Sequence, residues 1–212
     1  MANRVEGVTE KLLDCAMQEF LTKGYMGASM RTISENAGTT PRSIYTRYGD
    51  KEGLFAALVQ PAAERLKELF IAIQEGYHQR PEDDQKKLFH DQVFQQEYDG
   101  YLSVFMSHIF DHYDAFKLLV CHSEGTSFAG FIDEMVALDE KYTILYIEHT
   151  KNDVLSSRRA KPQLIHMLCS SFMHGFYEFV RHDMPREEAM EYVYQLQEFY
   201  ARGWDNLFNP RT

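Results

Sequence analysis

Cysteine is scarce in this chain of 212 residues: Cys15, Cys121 and Cys169 are all there is. An odd number set in helical patterns excludes a disulfide framework and predicts reduced, packed thiols of a cytosolic protein. Long apolar runs are missing as well. No stretch approaches the ~18 residues of a membrane-spanning helix. The opening Met1-Ala2-Asn3-Arg4-Val5-Glu6 has no secretory hydrophobic segment, so a cytoplasmic location is expected. Period-two alternation, internal repeats and low-complexity tracts are absent, which removes sheet-based and solenoid folds. So are a phosphate-cradling glycine loop, Gly-x-Ser-x-Gly, paired cysteines and His-Glu-x-x-His. Cys121 and His122 are neighbours, but adjacent helical residues point about 100° apart and form no dyad. An enzyme is therefore disfavoured, and no cofactor is expected.

Charge of one sign is in short supply too, with 22 Lys/Arg against 32 Asp/Glu and a net charge of −10. That argues against a generally basic coat. The acidity is unevenly placed. Residues 1–50 hold six cations (Arg4, Lys11, Lys23, Arg31, Arg42, Arg47) and six carboxylates, so the whole excess falls on residues 51–212. The N-terminal part is spared the acidity that would repel phosphates.

What is present is most specific between Gly38 and Phe55. Gly38 supplies a turn, since glycine alone adopts positive φ without steric cost. Thr40 can N-cap a helix and Pro41 suits its first position. Gly49 ends that helix after about two turns, and Asp50 caps the next, with Glu52 near its positive end. A helix this short must be held by neighbours. It exposes Thr39, Thr40, Arg42, Ser43, Tyr45, Thr46, Arg47 and Lys51, side chains suited to phosphates and base edges. Upstream, Leu12, Leu13, Ala16, Met17, Phe20 and Leu21 make an amphipathic helix closed by Lys23-Gly24. Ser29 can cap a second helix, Met30 to Ala37, with Ile33 and Ala37 inward. The proportions are those of a helix-turn-helix.

These residues resemble the DNA-binding domain of the TetR (tetracycline-repressor-type) family. The resemblance covers about the first fifty-five residues. It rests on Ala16 and Phe20, Gly24-Tyr25, Ser29-Met30-Arg31-Thr32-Ile33, Ala37-Gly38, Ile44-Tyr45, Tyr48, Lys51-Glu52 and Leu54-Phe55. Departures are mild: Tyr48 where phenylalanine is usual, and Arg42 where a small residue is common. The resemblance implies a dimeric repressor that binds a palindromic DNA operator and is released or altered by a small-molecule effector. The implied DNA-binding set is Ser29, Arg31, Thr39, Thr40, Pro41, Arg42, Ser43, Tyr45, Thr46, Arg47 and Lys51, with Tyr45 and Lys51 at phosphate-contacting positions.

The remainder reads as helical, giving an all-α protein: a three-helix helix-turn-helix domain over 1–50 and a larger effector-binding and dimerisation domain over 51–212. Helices are expected at about 51–76, 83–112, 114–121, 127–149, 162–180 and 186–207, with a possible break near Asp99-Gly100. Pro61 predicts either a kink in the first of these, a hinge between the domains, or a helix that starts anew after it. The basic cluster Arg158-Arg159-Ala160-Lys161 reads as a solvated loop. Leu168, Phe172, Gly175, Phe176 and Phe179 form one stripe, and Val193, Leu196, Tyr200, Gly203 and Leu207 another. They predict an antiparallel hairpin that pairs with a second copy to form a homodimer. The effector pocket is expected among the middle aromatics and histidines: Phe94, Tyr98, Tyr101, Phe105, His108, His112, Phe128 and Tyr142. His108 and His112, spaced i, i+4, leave open a metal-responsive regulator, and the cysteines a redox-responsive one.

Overall fold

The computed structural model describes residues 2–86 and 92–210, apart from the side chains of 2–8, 92–96 and 98. The described residues form helices and no strand, the expected all-α class. α1 (Ala2–Gly27), α2 (Met30–Ala37), α3 (Pro41–Tyr48) and α4 (Lys51–His78) come first. They are followed by α5 (Glu82–Gln85), α6 (Gln92–Asp111), α7 (Tyr113–Cys121), α8 (Phe131–His149), α9 (Pro162–Phe176), α10 (Glu178–Arg181) and α11 (Arg186–Phe208).

The chain divides into two compact units. One holds residues 1–65 and 112–131, the other 66–111 and 132–212. The boundary expected after residue 50 is the end of the helix-turn-helix. The packing division falls later because the first half of α4 and all of α7 pack with α1–α3. α4 is one helix throughout, so the chain does not start a new helix at Pro61.

In the first unit, Leu12, Ala16, Phe20, Ile33, Ile44, Leu54 and Phe55 are fully or almost fully buried. Three rings converge on Phe55. Phe20 meets it edge-on at 5.2 Å, Tyr25 at 5.5 Å, and Phe128 lies tilted at 6.1 Å. α1 is broken at Gly24, whose φ of 66° and ψ of 169° no helical residue shares. The break lets the Tyr25 amide donate to the His122 carbonyl at 3.0 Å, tying α1 to the end of α7.

The second unit buries Phe70, Met106, Ile109, Met135, Ile165, Cys169, Phe179, Val180 and Val193. The stretch expected as one helix over 162–180 is two, parted at Tyr177 (φ −83°, ψ 2°). Just before the break, the Gly175 carbonyl accepts from the Tyr192 hydroxyl of α11 at 2.7 Å. α6 shows no break at Asp99-Gly100. α8 starts at Phe131, because 122–130 are turns. The basic loop is more than a solvated connection. Arg159 donates to the Leu207 and Phe208 carbonyls at 3.1 and 3.2 Å and pairs with Asp153, so it closes the C-terminus of α11.

Candidate nucleic-acid interface and effector cavity

The helix-turn-helix is set by capping. Ser29 has extended backbone and its hydroxyl accepts from the Thr32 amide. Gly38 ends α2 in the left-handed region at φ 68°, and its amide bonds back to Glu35. Thr40 repeats the N-cap for α3 by accepting from Ser43, with Pro41 in the first turn and Gly49 at φ 81° closing the helix. Asp50 accepts from the Gly53 amide at 2.7 Å and starts α4.

Two residues that sequence reasoning passed over fix how α3 is held. A Cβ on Gly53 would stand 1.8 Å from the Tyr48 carbonyl oxygen, so only glycine allows α4 to begin against the end of α3. The signal was present in the Gly-x-x-x-Gly spacing after Tyr48 but has no local meaning. Glu19 accepts from the Ser29 amide at 3.0 Å and anchors the start of α2 on α1.

Of α3, only Ile44 is buried. Arg42 is exposed, and its guanidinium makes no hydrogen bond or ion pair among the described residues. Tyr45 is 48% exposed, an unusual placement for so large a ring. Thr39 and Ser43 are half-buried beside them. The other expected DNA residues are more committed. Thr46 donates to the Arg42 carbonyl, Arg47 to the Thr9 hydroxyl at 2.9 Å, and Arg31 pairs with Glu35 at 2.7 Å. Ser29, Thr40 and Pro41 shape helix starts. Lys51 lies 4.8 Å over the Tyr25 ring and donates to the Met26 carbonyl at 3.3 Å. Desolvation there pushes its pKa down, against the opposing pull of Glu19.

The second unit contains a cavity of about 550 Å³, within the range of about 300–1,000 Å³ usual for small-ligand sites. Tyr101 and Tyr142 line it, as expected. The side chains of Phe94 and Tyr98 lie outside the described residues. The other expected pocket residues are elsewhere. Phe105 packs on Phe70 at 6.2 Å, and His108 is not in the lining. His112 and Phe128 belong to the first unit, where Phe128 joins the Phe55 cluster. α6 ends at Asp111, and His112 has φ −125° and ψ 35°. His112 is thus the first residue beyond the helix that carries His108. No group of three or more metal-ligating side chains occurs among the described residues. Cys121 is exposed rather than packed, whereas Cys169 is buried and burial pushes its thiol pKa up.

The walls come largely from residues whose place the periodicity does not reveal: Tyr77, His78 and Arg80 of α4 and beyond, Tyr146 of α8, and Tyr194 and Trp204 of α11. His78 stacks on Tyr142 at 5.6 Å, and burial followed by the nearby His149 pushes its pKa down. Phe172 and Tyr200, expected at a dimer interface, line the cavity and meet edge-on at 5.1 Å. Phe176, Phe179 and Val193 of the expected interface are buried within the single chain, because α9–α11 pack on α6. Phe179 stacks on Phe110 at 5.6 Å. Gly175 serves that same packing, since a Cβ there would meet Leu196 at 3.4 Å. Leu168 and Leu207 are half-buried and Gly203 is exposed. The large apolar side chains left outside on these helices are Leu164, Met167 (64% exposed) and Phe199 (73% exposed).

Comparisons with known proteins agree with the motif geometry. Residues 12–58 match the bacterial regulatory proteins of the tetR family. The HTH-type transcriptional repressor AcnR of Corynebacterium glutamicum is 32% identical over 78 residues, which is 34% of this chain and 42% of the relative. AcnR of Corynebacterium efficiens is 37% identical over 59 residues, 28% of this chain and 31% of the relative. The chain thus matches less than half the length of these curated relatives. The fatty acid degradation regulator FadR of Bacillus halodurans superposes with a TM-score of 0.47 at 14% identity, covering 96% of this chain and 100% of that one. The capped helix-turn-helix and the match over residues 12–58 make the N-terminal part of this chain a DNA-binding domain of the tetR type.

Proposed function

We propose that this chain is a one-component repressor of the cytoplasm. It binds a palindromic DNA operator as a homodimer, answers to a small molecule held in the cavity of its second unit, and catalyses no reaction. The observation that supports this most is α3. Its polar face leaves Arg42 and Tyr45 free in solvent while caps and Gly53 fix the helix itself. Arg42 is suited to the guanine edge in the major groove, with Thr39 and Ser43 beside it. Tyr45 and Lys51 hold phosphates and set the register. One helix-turn-helix reads one half-site, so two copies are needed for a palindrome. Leu164, Met167 and Phe199 are apolar side chains that a second copy would cover.

In this reading α4 couples the two activities, since it begins among the residues of the first unit and ends at His78 in the cavity wall. Pro61 removes one backbone bond from its middle and makes it the compliant point. Pro61→Ala should then change the ratio of operator affinities with and without ligand, which is the coupling free energy.

The test is a footprint on the DNA flanking the gene, combined with sedimentation. The expected result is a dimer at micromolar concentration that protects two half-sites about 10 base pairs apart, centre to centre, or a multiple of that. A monomer, or no protection above that on random DNA, overturns the proposal.

A further inference from the structure

The chemistry of the cavity wall is lopsided. Five carboxylates line it (Glu97, Asp99, Asp139, Glu198 and Asp205) against two guanidinium groups, Arg80 and Arg202. Each guanidinium is already engaged by a carboxylate of the same wall, Arg80 by Glu97 at 2.7 Å and Arg202 by Glu198 at 2.5 Å. The one histidine of the lining, His78, has its pKa pushed below the ordinary value, so it adds no charge at neutral pH. Asp139 has no cationic partner among the described residues. It stands with Tyr142, Thr143 and Tyr146 at i, i+3, i+4 and i+7 of α8, one face of the helix, and all four line the cavity.

The rest of the wall is aromatic. Trp204 stacks on Phe208 at 5.2 Å, Phe208 meets Tyr146 at 5.1 Å, and Phe172 meets Tyr200. Ring faces attract cations through their quadrupole, most strongly where water is excluded. Glu97, Asp99 and Glu198 are exposed and screened by water, whereas Asp139 and Asp205 are half-buried, where a carboxylate attracts positive and repels negative charge most strongly. Burial pushes the Asp139 carboxyl up to about 6, so it is still ionised for the most part at pH 7 and gains from a nearby cation. A carboxylate ligand would meet the opposite on every count, with no free guanidinium to receive it.

From this we infer that the cavity takes a lipophilic organic cation, its charge beside Asp139 and its apolar surface against Tyr146, Phe172, Tyr200 and Trp204. The inference rests on the reading of this cavity as the effector site and narrows it to one ligand class.

Trp204 is the only tryptophan in the chain and it lines the cavity, so its fluorescence reports occupancy directly. The probes are tetraphenylphosphonium and tetraphenylborate, ions of the same shape and opposite charge, titrated into the full-length protein without DNA. The expected result is a saturable change in Trp204 emission with the phosphonium, at an affinity about tenfold or more above that for the borate. Asp139→Asn should shrink that preference severalfold while leaving the circular dichroism unchanged. Equal or tighter binding of the borate overturns the inference, and so does the absence of a saturable change with either ion. An undiminished preference in a folded Asp139→Asn protein overturns the part given to Asp139. If that variant does not fold, the ion pair on the unaltered protein decides. Adding operator DNA separates the two readings. Tight phosphonium binding without any change in DNA affinity supports the ligand class and overturns the effector role. A borate preference that does release DNA does the reverse.

Discussion

α3 and the cavity wall are held in opposite ways. The eight residues of α3 are fixed by bonds that span three or four positions: Thr40 to Ser43 at one end, Gly49 to Tyr45 at the other. One buried side chain, Ile44, pins it to the unit, Ser43 and Tyr48 are half-buried, and the rest are exposed. The cavity has no such local frame. Its lining runs from Ile73 to Phe208 and draws on α4, α6, α8, α9 and α11. The lesson is about independence. On α3 a recognition side chain can change without touching what holds the helix. In the cavity the buried wall residues Tyr142, Tyr146 and Phe208 also pack the unit, so changing them alters ligand choice and stability together.

The largest effect that would sharpen this contrast comes from beneath α3 rather than on it. Phe55→Ala removes the ring on which Phe20, Tyr25 and Phe128 converge. It should cost about 3–5 kcal/mol, read as a lowered denaturant midpoint. A cost below about 1 kcal/mol would mean that the first unit does not depend on that cluster. Gly53→Ala comes next, at about 1–3 kcal/mol. Because the clash is with the Tyr48 carbonyl, operator binding should fall by more than the stability loss explains. Thr40→Ala should cost about 1 kcal/mol through the lost cap, with no change in which base sequence is preferred. An altered sequence preference would break the separation of frame and reading face.

A further effect belongs to the cavity and shows as a dependence on pH. The Asp139 carboxyl is pushed up to about 6 by desolvation, a rise its contact with Cys169 only partly offsets. The folded state therefore binds more protons than the unfolded chain between about pH 4 and 6. In that window the Asp139 contribution to stability is present at the acid end and lost as pH rises. Asp139→Asn should flatten this part of the stability profile, measured by thermal unfolding at stepped pH. An unchanged slope would show that the carboxyl is solvated, and that the cavity is wetter than its walls suggest.

The difference between the two regions also explains what could be read from the sequence. Ser29, Gly38, Thr40, Pro41, Gly49 and Asp50 act on neighbours within a few positions, and each takes the role that its residue type implies. The break at Gly24 was legible for the same reason. Tyr177 was not, because the hydrogen bond from Tyr192 to Gly175 links residues 17 positions apart. Nor was the cavity. Phe172 and Tyr200 lie on stripes that periodicity marks as apolar, but periodicity cannot say whether a stripe meets a second copy, its own core or a void. His108 and His112 show the same limit. Their spacing suits two ligands of a metal, but it cannot supply a third, and no group of three or more occurs among the described residues.

The claim on which the whole account turns is that the exposed face of α3 reads DNA, and one measurement tests it most directly. Random-sequence DNA bound by the full-length protein is selected and sequenced, for the unaltered chain and for Arg42→Ala. The expected outcome is enrichment of an inverted repeat by the unaltered chain. In Arg42→Ala, preference should relax at one base pair per half-site, worth about 1–3 kcal/mol of discrimination, with the repeat otherwise retained. No enriched repeat with the unaltered chain, or an identical one with Arg42→Ala, would contradict it.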